Sequence, residues 1–176
     1  MKKISLITLI SMALISCQTI TEKEVNQAKQ PIIIGYEFDD EGQKLDIVAG
    51  DVGVTSIWLD YIEAHNNRNL DKIYEIDAKE IEVYRQDGTV GKGRDTHKQV
   101  LGDWFKSSNP NWKVIWMVTN TVEHKGGKTQ NWLTTGNEFT DEVDGKETMI
   151  HSIADVNFVD GKIKRINIYN RLKEQK

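Results

Sequence analysis

The 176-residue chain has four histidines and a single cysteine, so any acid–base or nucleophilic chemistry rests on few side chains. A histidine acting as general base needs an open cavity and a carboxylate that orients it. His65 and His97 are the candidates. His65 closes an apolar stripe of Val54, Ile57, Trp58, Tyr61 and Ile62, and His97 opens one of Val100, Leu101, Trp104 and Phe105. Simpler roles compete and are preferred: His65 as a helix C-terminal cation favoured by the helix dipole, His97 as a capping or packing residue. Glu138 and His151 stand opposite one another if their strands are joined at Asp144-Gly145. They read either as a proton-transfer couple or as an ordinary cross-strand pair contributing up to about 1 kcal/mol. Their expected face is outward, which favours the second reading. Asp155 lies roughly 13 Å along the strand from His151, too far to orient it. No catalytic residue is therefore assigned. Zinc-spaced cysteines, a glycine-rich phosphate loop, a G-x-S-x-G elbow and an H-E-x-x-H motif are all missing from the sequence, and no metal or cofactor is expected. Five tryptophans could box a sugar, sterol or aromatic ligand, although core packing is the commoner fate of such residues. Trp104 and Trp116 are the best lining candidates, with Trp112 beside Pro110 at a rim.

The elements that must position these residues follow from periodicity. Val54 to His65 recur at helical spacing, with Asp51 near the helix start. Asn69 is a plausible N-cap for a short second helix carrying Leu70, Ile73 and Tyr74. Glu80 to Arg85 alternate as a strand. Gly88, Gly91 and Gly93 mark a loop, and a third helix follows with Asp95 or Thr96 as N-cap, ending before Pro110. Four strands then run over about residues 112–124, 128–143, 146–159 and 162–172, joined at Gly126-Gly127, Asp144-Gly145 and Asp160-Gly161. Helices gathered before an antiparallel meander predict an α+β fold.

Two-residue turns at all three joints would fix the register. Glu138 then faces His151, Leu133 faces Val156, Phe158 faces Ile163 and Ala154 faces Asn167. Because side chains alternate between faces, one face would carry Trp116, Asn137, Ser152, Arg165, Asn167 and Tyr169. With Trp58, Tyr61 and Trp104 of the helices, these residues form the expected ligand pocket. The other face would carry Met117, Trp132, Glu138, His151, Ile153, Ile166 and Ile168. It is too apolar for a simply solvated surface, and is the expected dimer face. A one-residue error in any turn exchanges the faces of a strand.

Trp58-Leu59-Asp60-Tyr61, Asn69-Leu70-Asp71-Lys72-Ile73 and the closing run from Phe158 to Asn170 carry a resemblance to the nuclear transport factor 2-like superfamily, in its SnoaL-like branch. It covers about residues 51–172. It implies a cone-shaped, curved antiparallel sheet wrapped around N-terminal helices, a pocket inside the cone and frequent dimerisation through the outer sheet face. Enzymes of this kind use Asp/His or Asp/Tyr pairs in the pocket, and no such pair is matched here residue by residue. The expected pocket face has no acid on its last three strands, which favours binding over catalysis.

The first 17 residues combine Lys2 and Lys3 with an apolar run from Ile4 to Ile15, ending in Leu14-Ile15-Ser16-Cys17. This pattern is similar to a bacterial lipoprotein signal, and implies removal of residues 1–16 and lipid attachment to Cys17. The polar stretch after it reads as a tether. The expected organisation is signal peptide over 1–16, lipidated cysteine and tether over 17–50 with an extra strand conceivable at 31–38, domain over 51–172, and tail over 173–176. Cleavage would leave 21 basic against 27 acidic residues, a net charge of −6. That acidity argues against a nucleic-acid partner. The chain is thus expected in the cell envelope, facing periplasm or exterior, as a membrane-tethered small-molecule-binding or accessory module with a small hydrophobic ligand and a homodimeric partner. The alternatives are a lipid-anchored isomerase, cyclase or hydrolase, and a purely structural dimerisation domain.

Overall fold

The structure is a computed structural model that describes residues 31–143 and 145–172. The proposed signal peptide and Cys17 lie outside the described residues. Eight strands and three helices run in the order β1 (Ile33–Phe38), β2 (Lys44–Ala49), α1 (Val54–Asn66), α2 (Leu70–Ile76), β3 (Asp77–Tyr84), β4 (Val90–Lys92), α3 (Arg94–Ser107), β5 (Asn111–His124), β6 (Lys128–Val143), β7 (Lys146–Val159) and β8 (Lys162–Leu172). The strands form one sheet in the order β1-β2-β5-β6-β7-β8-β3-β4. All neighbouring pairs are antiparallel except β3 with β8. The sheet curves around the helices, giving the α+β fold expected from the order of elements.

Packing explains why the helices lie where they do. The stripe on α1 buries Val54, Trp58, Tyr61 and Ile62, while Ile73 and Ile76 come from α2. They meet Ile81, Leu133, Val156, Phe158 and Ile163 from the sheet in one continuous core. α1 packs on β5, α3 packs on β3, and α2 lies against both α1 and α3. The expected cap on α2 is present: Asn69 accepts from the Lys72 backbone N–H at 3.0 Å. α3 differs from expectation. It begins at Arg94, with Gly93 at the cap in a positive-φ conformation that a β-carbon disfavours. The loop expected before it contains the short strand β4, paired with β3.

The N-terminal boundary also moves. Residues 33–49, placed largely in the tether by sequence, form the β1–β2 hairpin, and β2 pairs with β5. This hairpin is part of the sheet, which therefore starts well before residue 51.

Register decides which side chains face the helices. The Asp144-Gly145 joint gives the expected pairing, with Glu138 opposite His151 and Leu133 opposite Val156. The other two strand pairs depart from it, β5–β6 at its loop and β7–β8 within β8, although the Asp160-Gly161 turn itself pairs Phe158 with Ile163 as expected. The β5–β6 loop spans residues 125–127, one residue longer than assumed, because His124 pairs with Lys128. That slip turns Trp116 outward and Met117 inward, and an irregularity between Val114 and Trp116 restores Val114 to the inner side. In β8 an irregularity follows Phe158–Ile163, so Ala154 pairs with Ile168 rather than Asn167. Beyond it, Ile166, Ile168 and Asn170 face the helices, and Arg165, Asn167 and Tyr169 face away. A bulge adds one residue to one strand and so exchanges faces downstream.

Candidate functional site

Between the helices and the concave side of the sheet lies a cavity of about 500 Å³. Its apolar walls include Trp58, Trp104, Trp112 and Phe139, and its polar groups include His65, His97, Asn137 and Ser152. The rings are mutually braced: Trp112 meets Trp104 edge-on at 5.5 Å and Phe139 at 4.9 Å between centroids. Such a wall is preformed and suits a flat or alicyclic apolar body.

The polar centre begins with Asp77, the residue at which α2 ends and β3 begins. Its side chain is essentially inaccessible, with 1% of the residue exposed. Both carboxylate oxygens are used. Tyr61 Oη donates to Oδ1 at 3.0 Å, and His97 Nδ1 donates to Oδ2 at 2.7 Å. A carboxylate accepts only, so the short contact requires a proton on Nδ1. The other ring nitrogen of His97, Nε2, makes no hydrogen bond to the described residues, and His97 lines the cavity. Asp77 thus fixes the tautomer and orientation of an imidazole whose second nitrogen is free for a ligand. This is the geometry of a carboxylate-backed general base. Burial, followed by the Asp77 charge and hydrogen bond, raises the Tyr61 pKa well above the usual phenol value, so Tyr61 remains a donor committed to Asp77.

His65 is held differently. One turn after Tyr61 on α1, its Nδ1 lies 2.8 Å from the Tyr61 carbonyl oxygen. A carbonyl only accepts, so Nδ1 carries the proton and Nε2 bears a lone pair. The ring is wedged against Tyr61 at 4.4 Å and Trp112 at 5.4 Å, with His97 at 6.4 Å. Desolvation by burial lowers its pKa to about 3, with the His97 and Arg68 charges acting in the same direction and the Tyr61 hydrogen bond opposing. His65 is consequently neutral at physiological pH and a poor proton acceptor. The Trp58 indole N–H is buried without a partner among the described residues. A buried donor left unsatisfied costs about 1–3 kcal/mol, unless a water or ligand oxygen meets it.

The expected site residues divide sharply. Trp58, Tyr61, Trp104, Asn137 and Ser152 line the cavity. Trp116, Arg165, Asn167 and Tyr169 do not, because of the long loop and the β8 irregularity. Trp116 is 44% exposed on the outer face and lies over Gly136, where an added β-carbon would collide with its indole. Arg165 pairs with Glu82 at 3.0 Å and Tyr84 Oη at 3.1 Å, and this contact, first among several, pulls the Glu82 pKa down to about 2. Among the expected dimer-face residues, Ile166 and Ile168 line the cavity and Met117 packs on the core. Glu138, His151 and Ile153 stay outside, in a shallow groove of about 430 Å³ with Trp116 and Tyr169. Trp132 alternates with buried Leu133, and its indole N–H donates to Gln130 Oε1 at 3.1 Å.

Two acids escaped the sequence reading. Asp77 precedes the strand start placed at Glu80; it is buried like Ile81 and Val83, but Lys79 between them is exposed and the β3–β8 register shifts between Asp77 and Glu82, so alternation does not reach back to it. Asp141 continues the inward series Asn137, Phe139 on β6 and reaches the cavity, correcting the expectation of an acid-free face. It is occupied locally, accepting from the Asn109 backbone N–H at 2.9 Å. His65 does stand in the last turn of α1 and His97 is packed in the interior as the simpler roles expect, but both imidazoles are also polar-bonded and line the same cavity. Among the described residues, no three His, Cys, Asp or Glu side chains cluster so as to hold a metal ion.

No protein-family model and no curated protein matches the chain. Solved structures do. An epoxide hydrolase described as LEH-like from M. tuberculosis superposes with a TM-score of 0.56 at 12% identity, over 67% of this chain and 82% of that one. A putative ketosteroid isomerase from Kribbella flavida DSM 17836 gives 0.56 at 11% identity, over 72% and 84%. A putative scytalone dehydratase from Novosphingobium aromaticivorans DSM 12444 gives 0.55 at 11%, over 70% and 87%. At such identities the likeness concerns architecture alone, and it establishes for this chain the curved-sheet fold of nuclear transport factor 2-like and ketosteroid isomerase-like proteins.

Proposed function

We propose that this chain is an acid–base enzyme acting on a small, largely apolar molecule, with His97 as the proton-transferring group. The observation that carries the reading is the buried Asp77 carboxylate bound to His97 Nδ1, with Nε2 free towards an aromatic-walled cavity. Asp77 stabilises the imidazolium formed when Nε2 takes a proton, and Tyr61 holds the second carboxylate oxygen so that Asp77 cannot rotate away. Proton abstraction next to a carbonyl, as an isomerase, cyclase or eliminating enzyme requires, suits this dyad as the base, with Asn137 and Ser152 of the cavity wall available as donors to the enolate oxygen that forms. The fold shared with an epoxide hydrolase and a putative isomerase is compatible with it. A non-catalytic binding module is the second reading, favoured by the tryptophan-rich wall.

The test needs no known substrate. A panel of neutral bicyclic ketones incubated with the protein in D2O reports proton abstraction as deuterium uptake by NMR. Enzymatic exchange that falls at least about 100-fold in His97→Gln supports the proposal. Ligand binding without exchange in any member leaves the binding module.

The remaining parts of the proposal concern placement. The Leu14-Ile15-Ser16-Cys17 sequence supports tethering to a membrane through a lipid on Cys17, and Cys17→Ser is expected to move the protein into the soluble fraction. Among the described residues no helix is long and apolar enough to cross a membrane. The outer groove around Trp116 and Ile153 is the surface proposed for self-association, to be read by sedimentation of Ile153→Asp.

A further inference from the structure

We infer that His65 is the specificity residue of the cavity: its Nε2 accepts a hydrogen bond from a hydroxyl or N–H group of the ligand, so the preferred ligand is an alcohol, phenol or similar donor on an apolar body. The inference rests on the cavity being the ligand site, and not on the chemistry of His97. Three observations carry it. The Tyr61 carbonyl at 2.8 Å fixes the proton on Nδ1 and leaves Nε2 as an acceptor. The ring cannot turn to offer Nδ1 instead, because Tyr61, Phe105 and Trp112 pack around it. Nε2 has no hydrogen-bonding partner among the described residues, and His65 lines the cavity.

The two imidazoles therefore present different faces to one ligand. His97 has a carboxylate behind it. His65 has a carbonyl behind it, and burial keeps it neutral. An acceptor-only group in an apolar wall discriminates strongly, since a ligand lacking the donor leaves a buried lone pair unmet. With 6.4 Å between the ring centroids, one small molecule can touch both.

The test compares 4-propylphenol with its methyl ether, 4-propylanisole, in which a methyl group replaces the donor proton, and the His65 variants separate the lost donor from the added bulk. Binding is measured by calorimetry on the native protein, His65→Leu, His65→Gln and His97→Gln. The native protein is expected to bind the phenol at least about tenfold more tightly. His65→Leu should erase that preference, whereas His65→Gln, which restores an acceptor, and His97→Gln should retain part or all of it. Imidazole nitrogen NMR should also show the His65 Nε2 resonance shift with the phenol and not with the ether. Equal affinity for the two probes, no binding of either, or a preference that survives in His65→Leu would overturn the inference. A preference lost in His97→Gln and kept in His65→Leu would overturn it while leaving the acid–base role of His97 intact.

Discussion

The outer face of the sheet and the cavity under the helices carry similar chemical groups in opposite physical states. Outside, Glu138 and His151 are cross-strand neighbours in a shallow groove. The Glu138 side chain is 31% exposed and shares its charge with Lys113 at 3.6 Å. Inside, Asp77 and His97 form the same carboxylate–imidazole combination with the carboxylate shut off from water and held by a second donor. Exposed charges are screened and their partners interchangeable, whereas a buried pair has one arrangement and strong coupling. Residue type alone therefore did not mark the site; burial and the number of fixed partners did.

The largest predicted contrast is in stability. Asp77→Ala removes the acceptor of both Tyr61 and His97 and is expected to cost about 3–5 kcal/mol in urea unfolding. Glu138→Ala should stay within about 0.5 kcal/mol. A smaller change sharpens the inner side: Tyr61→Phe deletes one hydrogen bond to the carboxylate and is expected to cost about 1.5–3 kcal/mol. The pH dependence gives a third contrast. The folded-state pKa of His65 is lowered from 6.5 to about 3, so the unfolded chain binds a proton that the native one refuses. Stability from this group is fully present above pH 6.5 and declines as pH falls towards 3, by up to about 1.4 kcal/mol per pH unit. His65→Leu should flatten that slope. The smallest effect is expected for Ile153→Ala in the outer groove, with unfolding unchanged within about 0.5 kcal/mol and cavity binding unaltered.

Much of the fold was legible because it rests on repeated patterns. The α1 stripe, the Asn69 cap and the Asp144-Gly145 hairpin each follow from local rules and stand as expected. The site was legible only in part. Trp58, Tyr61 and Trp104 lie on helical stripes, whose inner side is unambiguous, and Asn137 and Ser152 pair across β6 and β7, which keep the assumed register along their length. Arg165, Asn167 and Tyr169 were misplaced by a single added residue in β8, a local irregularity that no alternation announces. Asp77 was missed for a different reason. It sits where a helix gives way directly to a strand, so neither periodicity frames it, and its partner His97 is twenty residues away on a third element. Pairing across elements is a tertiary fact, and it converted a histidine with an expected packing role into the proposed base.

The most direct test of the account sets the cavity histidine against the outer-face histidine in one experiment. Deuterium uptake by a responsive ketone is followed in D2O with the native protein, His97→Gln and His151→Gln, each first shown to be folded by circular dichroism. The account predicts native-like exchange in His151→Gln and a loss of at least about 100-fold in His97→Gln. Exchange that persists in His97→Gln, or that fails in His151→Gln instead, would contradict it.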